Sequence, residues 1–289
     1  MAEELSDDEL LKFLRAKCFD YEIAVQTIKN YHQLVLEKRE SLFQPLRNLS
    51  EIFSDIIHVL PFLDSRYTLT ILISPDYFNP CKHTYHGLLS AIFYTVERAL
   101  YYETPQVTGV NVIVNLQNFS FSKLKLLKPL TAKRLAYCVE QVLPVRINSI
   151  YVIGPKMVSH LAYAIIKPFL SQYLRSKIEF CSLTSLHKLY PPQSLHKELS
   201  GKLETSGSEK WYLELVRGEK YILSFWDKLE NAAIEEEEDN NSATGSATVF
   251  QLRNNLAFKV PNSCSQRSTS FPILNILPTC TEYLSPFYK

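Results

Sequence analysis

The stretch that decides the fold, residues 109–180, reads GVNVIVNLQNFSFSKLKLLKPLTAKRLAYCVEQVLPVRINSIYVIGPKMVSHLAYAIIKPFLSQYLRSKIEF. Strand-like runs rich in Val and Ile alternate here with longer apolar runs that have helical spacing. Strands separated by helices in this way are typical of βαβ units, which form a largely parallel sheet. The stretch has no glycine-rich phosphate loop and no Ser, Cys or His in a recognisable catalytic setting. An α/β fold with apolar helices and without such phosphate-binding or catalytic groups indicates a pocket for a hydrophobic molecule.

The same periodicity predicts the elements on both sides of this stretch. Strands are expected at 67–73, 110–116, 150–153 and 177–181, and helices at 86–102, 129–143, 157–167 and 209–229. Near the start of the chain, Ser6 and Glu9 have the spacing of a capping box, and Asp20 is placed to cap a second helix. A third amphipathic stretch covers 50–60, so the chain is expected to begin with a small all-α unit.

These patterns divide the chain into three segments. A helical N-terminal domain is expected at 1–60, and an α/β domain with its C-terminal helix at 61–230. Residues 231–289 begin with an acidic run at 235–239 and continue into a stretch rich in Ser, Thr and Asn. That composition is typical of disorder, so we expect a mostly disordered C-terminal tail.

Composition narrows the functional classes. The 289 residues carry a formal net charge of +1, so no bulk field favours nucleic acid or a membrane. Only 7 residues are Gly, although loops that hold phosphate need Gly for close backbone approach. The 6 Cys show no C-x-x-C pair and no metal-ligand spacing, and the acidic N-terminus lacks the apolar core of a signal peptide. No apolar run is long enough to span a bilayer. We therefore expect a cytoplasmic protein with no transmembrane segment and no cofactor.

Other patterns that could carry chemistry are weak. His83 and His86 could present two imidazoles on one helical face, but the pair lies at a predicted helix start and no metal site is expected there. The acids at 235–239 are consecutive and cannot all converge on one ion, so a solvated tail is the better interpretation. The sequence contains no nucleophile elbow, dinucleotide fingerprint or Walker loop, and we do not expect an enzyme.

Five blocks of sequence, in order, match the motifs of one protein family. The blocks are LLKFLRAKCFD at 10–20 with KNY at 29–31, FSFS at 119–122, LPVR at 143–146, IKPFL at 166–170 after His160, and LHKELSG at 195–201. On these motifs the chain resembles the CRAL-TRIO family of lipid-binding proteins, over about residues 6–205. The IKPFL block is similar to the branch of alpha-tocopherol transfer and retinaldehyde-binding proteins. The resemblance implies a small helical domain followed by a lipid cage built on a mostly parallel sheet with flanking helices.

The resemblance also implies a mobile helix that closes the cage, and residue-by-residue matching assigns it to about 156–170. Its apolar positions would be Val158, Leu161, Ala162, Ile165 and Phe169, whose spacing gives one apolar helical face. The same matching assigns Leu135, Cys138, Val139 and Val142 to the pocket wall and Phe119 and Phe121 to its edge. The alternative for each of these side chains is simple packing on the sheet.

A basic cleft near that helix, which binds phosphoinositide head groups, is a further implication of the resemblance. Arg146, Arg175 and Lys177 match its basic positions, and Arg forms forked, charge-assisted hydrogen bonds with phosphate. Asn148 and Tyr173 stand where the family often has a base, so the expected cleft is short of charge. Scattered, solvated surface bases are the alternative interpretation.

The expected function is intracellular binding and transfer of a small hydrophobic ligand that is tocopherol-, retinoid- or phospholipid-like. Membranes containing phosphoinositides would aid its release, through a peripheral and transient association. The alternative is a non-carrier regulatory module that senses phosphoinositides or binds another protein. Neither hypothesis involves nucleic acid.

Overall fold

The fold is described by a computed structural model that covers residues 5–43, 45–64, 66–203 and 208–240. Within these residues, five strands form one sheet in the order in which they follow along the chain. The strands are β1 (Ile57–Val59), β2 (Leu69–Ile73), β3 (Val110–Asn115), β4 (Ile147–Ile153) and β5 (Ile178–Cys181). β1 pairs antiparallel with β2, and the other neighbours pair in parallel. The predicted mostly parallel α/β sheet is confirmed.

Helices surround this sheet. They are α1 (Asp7–Ala16), α2 (Tyr21–Leu42), α3 (Ser50–Asp55), α4 (Tyr85–Leu100), α5 (Glu103–Thr108), α6 (Phe121–Leu124), α7 (Pro129–Tyr137), α8 (Lys156–Ile166), α9 (Gln172–Ser176), α10 (Leu183–Leu189) and α11 (Ser208–Asn240). The first two begin as the sequence predicts, because Ser6 and Glu9 form a capping box and the Asp20 side chain accepts from the backbone N–H of Ile23.

The two faces of the sheet differ because successive residues of a strand point to opposite sides. In β3, Ile113 faces one side and packs in a buried cluster with Tyr151 of β4 and Leu186 of α10. Val112 and Val114 face the other side, which α4, α7 and α8 cover without filling the space above the strands. The fold therefore has one densely packed face and one face that borders a cavity.

A buried polar network joins the N-terminal helices to the rest of the fold. The Lys12 ammonium donates to Glu97 Oε2 of α4 at 2.6 Å, and Tyr31 of α2 donates to Glu97 Oε1 at 2.9 Å. Trp226 Nε1 of α11 donates to the Tyr31 hydroxyl at 2.9 Å, and the Lys12 ammonium lies 3.5 Å from the centre of the Phe225 ring. All of these side chains are buried. The network fixes α1, α2 and α11 against α4, which is also a wall of the cavity.

The region predicted as a third N-terminal helix differs from the expectation. Helix α3 ends at Asp55, and Ile57–Val59 forms the edge strand β1, in which Ile57 lies opposite Ile73 of β2. The sheet thus begins inside the segment 1–60. Two β-branched residues with one residue between them suit a strand as well as the end of an amphipathic helix, and pairing with β2 decides between the two.

Two helical boundaries also differ. The helix expected at 129–143 is regular only to Tyr137, and Cys138–Val142 continues it as a π-helical turn. Helix α11 runs to Asn240, past residue 231 where the tail was expected to begin, since Ala and Glu favour helical backbone. The remainder of the predicted tail, 241–289, lies outside the described residues.

Candidate functional site

A cavity of about 590 Å³ lies between the sheet and helices α4, α7 and α8. This volume falls within the range of about 300–1,000 Å³ that is usual for small-molecule sites. The lining is almost entirely aliphatic and aromatic. Arg, Asp and Glu do not occur among the described lining residues, and Lys128, at the start of α7, is exposed. The arrangement suits an uncharged, largely hydrocarbon molecule.

Strands of the sheet form one side of the cavity, which we call its floor. Alternate residues of β2 to β5 point into it, and most are β-branched. They are Ile71, Ile73, Val110, Val112, Val114, Ile147, Ile150, Val152, Ile178 and Phe180. β-branched side chains have few rotamers, so this floor is stiff.

Helical periodicity builds the walls. Helix α4 contributes Leu88, Ile92, Thr95 and Val96, and α7 with its π-helical turn contributes Leu135, Ala136 and Val139. Helix α8 contributes Ser159, Ala162, Tyr163 and Ile166, which have i, i+3, i+4, i+7 spacing.

Helix α8 also carries exposed apolar residues on its outer side, beside the exposed Lys156 and His160. Its outward side chains include Met157, which is 70% exposed, and Leu161, which is 44% exposed. An ordinary surface helix carries polar residues on the side that faces solvent. This helix therefore covers the cavity while it presents hydrophobic groups to the outside.

The structure brings some of the predicted ligand-binding residues to the cavity and not others. Phe119, Leu135, Val139 and Ala162 line it. The rest lie outside the lining: Cys138 and Val142 are buried in the main core, Val158 packs with Phe119, Ile165 and Phe169 are half-buried, and Phe121 and Leu161 are exposed.

The face of α8 that lines the cavity differs from the predicted face by a shift of one residue along the sequence. The predicted positions are 158, 161, 162, 165 and 169, whereas 159, 162, 163, 166 and 170 line the cavity. One residue corresponds to a rotation of about 100° around the helix axis. Both faces are apolar, so hydrophobic spacing did not distinguish them. The burial of Val158 against Leu116 and Phe119 fixes the observed rotation.

The sequence analysis did not predict that the strands and helix α4 line the cavity. A signal for the floor was present in β3, where Asn111 and Asn115 alternate with valines. The amide of Asn111 donates to Asp64 and to the Tyr190 hydroxyl on the opposite face of the sheet, so the valines must face the cavity. The α4 wall had no comparable signal, because most positions of that helix are buried.

Burial holds two titratable groups in or beside the cavity wall, the Cys138 thiol and the Tyr85 phenol, in their neutral forms. Burial raises the pKa of the Cys138 thiol to about 12. Burial also raises the pKa of the Tyr85 phenol, whose hydroxyl donates to the Thr131 carbonyl at 3.3 Å. A protonated buried thiol is a poor nucleophile. The Cys138 thiol is therefore not an activated nucleophile.

The predicted histidine pair does not converge. His83 is buried and its Nδ1 accepts from the backbone N–H of Asn79 at 3.1 Å, whereas His86 is exposed. Within the part of the chain that the structure describes, no group of three or more His, Cys, Asp or Glu side chains is arranged to hold a metal ion.

The predicted basic residues lie where β4 and β5 begin. Arg146 directly precedes β4, and its guanidinium donates to the Val107 carbonyl. Arg175 is in α9, and the Lys177 ammonium, just before β5, lies 5.2 Å from the centre of the Tyr173 ring. Neighbouring parallel strands begin at the same edge of a sheet, so Arg146 and Lys177 share that edge.

Among residues 5–43, 45–64, 66–203 and 208–240, no helix combines the length and hydrophobicity that a bilayer crossing requires.

Comparison with known proteins gives a family match and several relatives. Residues 53–201 match the CRAL/TRIO domain. The Homo sapiens protein named alpha-tocopherol transfer protein-like is 30% identical over 227 residues, which are 76% of this chain and 65% of that protein. Clavesin-1 of Xenopus laevis is 26% identical over 216 residues, 73% of this chain and 65% of that protein. This chain thus spans slightly less than two thirds of the length of either relative.

Among solved structures, that of Sfh5 aligns over 60% of this chain and 63% of its own, with 16% identity and a TM-score of 0.42. The domain match carries the assignment, since it covers more than half of the 289 residues and contains the whole sheet and the cavity floor. The chain belongs to the CRAL-TRIO family.

Proposed function

We propose that this protein takes up one small hydrophobic molecule into the cavity above the sheet and transfers it between membranes. The observation that carries the proposal is the apolar cavity of about 590 Å³ under α8. Removing hydrocarbon from water stabilises the bound state by about 0.8 kcal/mol per CH₂ group. A bilayer offers a similar gain, so exchange between membrane and cavity is nearly balanced and the molecule is able to leave again.

The relatives support the ligand class. One is named for similarity to a tocopherol transfer protein, and family membership is consistent with a lipid cage. A tocopherol-like or retinoid-like molecule, or a phospholipid, would meet the requirement for apolar surface. The almost uncharged lining favours molecules without a charged group inside the cavity.

The outer side of α8 supports docking on a membrane surface. Helices α6 and α7 contact α8, and they add the exposed apolar residues Phe121 and Leu130 to Met157 and Leu161. Several lysines lie in or beside these helices: Lys123, Lys125, Lys128, Lys133 and Lys156. A lysine near an anionic leaflet contributes about 1 kcal/mol of attraction. A membrane that binds the open position of α8 better than the closed one would shift the helix toward opening and release the ligand.

Phosphoinositide head groups are the proposed anionic partners of Arg146, Arg175 and Lys177. Arg175 is half-buried, so part of its side chain is accessible to a head group. The Arg146 guanidinium already donates to a carbonyl, so part of its donor capacity is used. Transfer would therefore also occur without phosphoinositides, and their head groups would add a further increase in ligand release. An added effect of this kind fits the limited set of charges.

The test is transfer of a fluorescent tocopherol analogue from phosphatidylcholine vesicles to acceptor vesicles with and without phosphatidylinositol bisphosphate. We expect the full chain to accelerate transfer, and phosphoinositide in the acceptor to accelerate it further. The double variant R146A/R175A should lose this second increase, since each lost charge removes about 1 kcal/mol of attraction. Lys188→Ala, an exposed charge on the opposite face of the sheet, is the matched control and should leave both rates unchanged.

Two outcomes would count against parts of the proposal. Vesicle binding that depends on the head group, without any transfer of the analogue, would favour the non-carrier sensor. Transfer that is insensitive to phosphoinositide would remove the role of the basic residues and leave the carrier.

A further inference from the structure

A hydrogen bond to Glu140 joins two segments of the cavity wall. The Glu140 Oε1 accepts from the backbone N–H of Ser171 at 2.9 Å. Glu140 directly follows Val139 in the π-helical turn, and Ser171 directly follows Leu170 in the segment after α8. Val139 and Leu170 line the cavity, whereas Glu140 and Ser171 lie outside the lining. The bond therefore closes the seam between the α7 wall and the segment that follows α8.

The two ends of α8 are held in different ways. At its start, α8 follows β4 after two residues, and β4 pairs with a strand on each side. At its end, α8 passes into the turn Lys167–Phe169, in which Lys167 and Pro168 are exposed. We call α8 and this turn the cover. Segments with few buried contacts open at a lower free energy than paired strands do, so we expect the cover to open from its end, next to the Glu140 bond.

The N-terminal helices hold the π-helical turn that carries Glu140. The Lys17 ammonium, at the end of α1, donates to the Glu140 carbonyl at 3.0 Å. The Asn30 amide of α2 donates to the Gln141 carbonyl at 3.0 Å. The last carbonyls of a helix lack partners within that helix, and a cation near them is favourable. The two donors thus satisfy the end of this turn and fix it to the N-terminal helices.

Charge adds to the contact between Lys17 and Glu140. Burial lowers the pKa of the Lys17 ammonium, and the negative charge of Glu140 acts against this shift. Glu140 thus has a donor on each side, because Lys17 binds its carbonyl and the Ser171 N–H binds its carboxylate. This one residue connects the N-terminal helices to the end of the cover.

We propose that Glu140 is a positioning residue that holds the cover closed, and that the N-terminal helices keep Glu140 in place for this role. The bond lies outside the lining, so the closed chain makes it with or without a bound molecule. Its loss raises the population of the open state by the same factor in the empty and in the loaded chain. Uptake and release then accelerate equally, and Kd stays the same. The inference rests on the proposed carrier function and assigns the control of its opening step.

The experiment measures both rates for a fluorescent tocopherol analogue with the full chain by stopped-flow fluorescence. Uptake is followed from phosphatidylcholine donor vesicles, release into an excess of phosphatidylcholine acceptor vesicles, and Kd by equilibrium titration. We expect Glu140→Ala to raise both rates about fivefold and to leave Kd unchanged. Glu140→Gln keeps an acceptor oxygen for the Ser171 N–H and should stay within about twofold of the wild type. Gln141→Ala, an exposed side chain of the same turn whose substitution keeps the backbone carbonyl, is the matched control and should change neither rate.

Lys17→Met tests the connection to the N-terminal helices. It withdraws the donor from the Glu140 carbonyl, so both rates should again rise while Kd stays the same. In the double variant K17M/E140A the acceleration should be smaller than the product of the two single effects, since both substitutions act through the same bond. This variant also keeps the inference testable if Glu140→Ala does not fold.

Three outcomes would overturn the inference. Wild-type rates in both Glu140→Ala and Lys17→Met would remove the role of Glu140 and leave the carrier function in place. A changed Kd without equal acceleration of uptake and release would show that Glu140 supports the shape of the cavity instead. Failure of the wild-type chain to take up the analogue would overturn the carrier function itself, and the inference with it.

Discussion

Replacing Ile166 with glutamate is expected to abolish ligand uptake. This side chain faces the cavity from the last turn of α8, and no described lining residue offers its carboxylate a buried partner. Burial of an unpaired charge costs several kcal/mol, and a charge that drew in water would fill the space with solvent instead of ligand. We expect uptake of the fluorescent tocopherol analogue to fall by about 100-fold or more, measured by fluorescence titration of the purified full chain.

Ile165 provides the matched control for this prediction. It is the preceding residue of the same helix, is half-buried and does not line the cavity. Glutamate at 165 has the same effect on charge and helix propensity as glutamate at 166, yet it should leave uptake close to that of the wild type. Normal uptake by the Ile166→Glu variant, or equal loss in both variants, would contradict the assignment of the inner face of α8.

The largest loss of stability is expected for Glu97→Ala. The substitution leaves the Lys12 ammonium buried without its partner and removes the acceptor of the Tyr31 hydroxyl. Removing one member of a buried ion pair typically costs about 3–5 kcal/mol. We expect the free energy of unfolding to fall by about that amount, measured by urea denaturation followed by circular dichroism. Because α4 also carries Ile92 and Val96, loss of this anchor should disturb the cavity wall as well.

Glu103→Ala is the control for the buried pair. Glu103 Oε1 accepts from Arg15 at 2.6 Å, the same distance as in the Lys12–Glu97 pair, but its side chain is 73% exposed. Exposed pairs contribute about 0–1 kcal/mol, so the change should be small. Similar effects of the two substitutions would show that the buried network does not fix the N-terminal helices.

Most of the sheet could be predicted from local pattern because its central strands are short runs of β-branched residues separated by helical periods. Strand β3, predicted at 110–116, is observed at Val110–Asn115. Strand β1 could not be predicted in this way. It is only three residues long, and its identity depends on pairing with β2 through contacts such as Ile57 with Ile73. Local sequence does not encode such a non-local pairing.

The candidate site was predictable to the level of the helix but only in part to that of the side chain, since Phe119, Leu135, Val139 and Ala162 are the predicted residues that line the cavity. Sequence motifs identified α8 as the cover of a pocket, and the structure brings Ala162 to the cavity. The rotation of α8 depends on how Val158 packs against Leu116 and Phe119, which are distant in the chain.

The central claim is that the space above the sheet holds one hydrophobic molecule, and native mass spectrometry of the purified full chain tests it most directly. We predict a single added mass per chain that is released on denaturation and that organic extraction identifies as a hydrophobic lipid. The Ile166→Glu variant should lack this mass, and the Ile165→Glu variant should retain it. A wild-type chain that carries no added mass, and that gains none after incubation with lipid vesicles, would contradict the account.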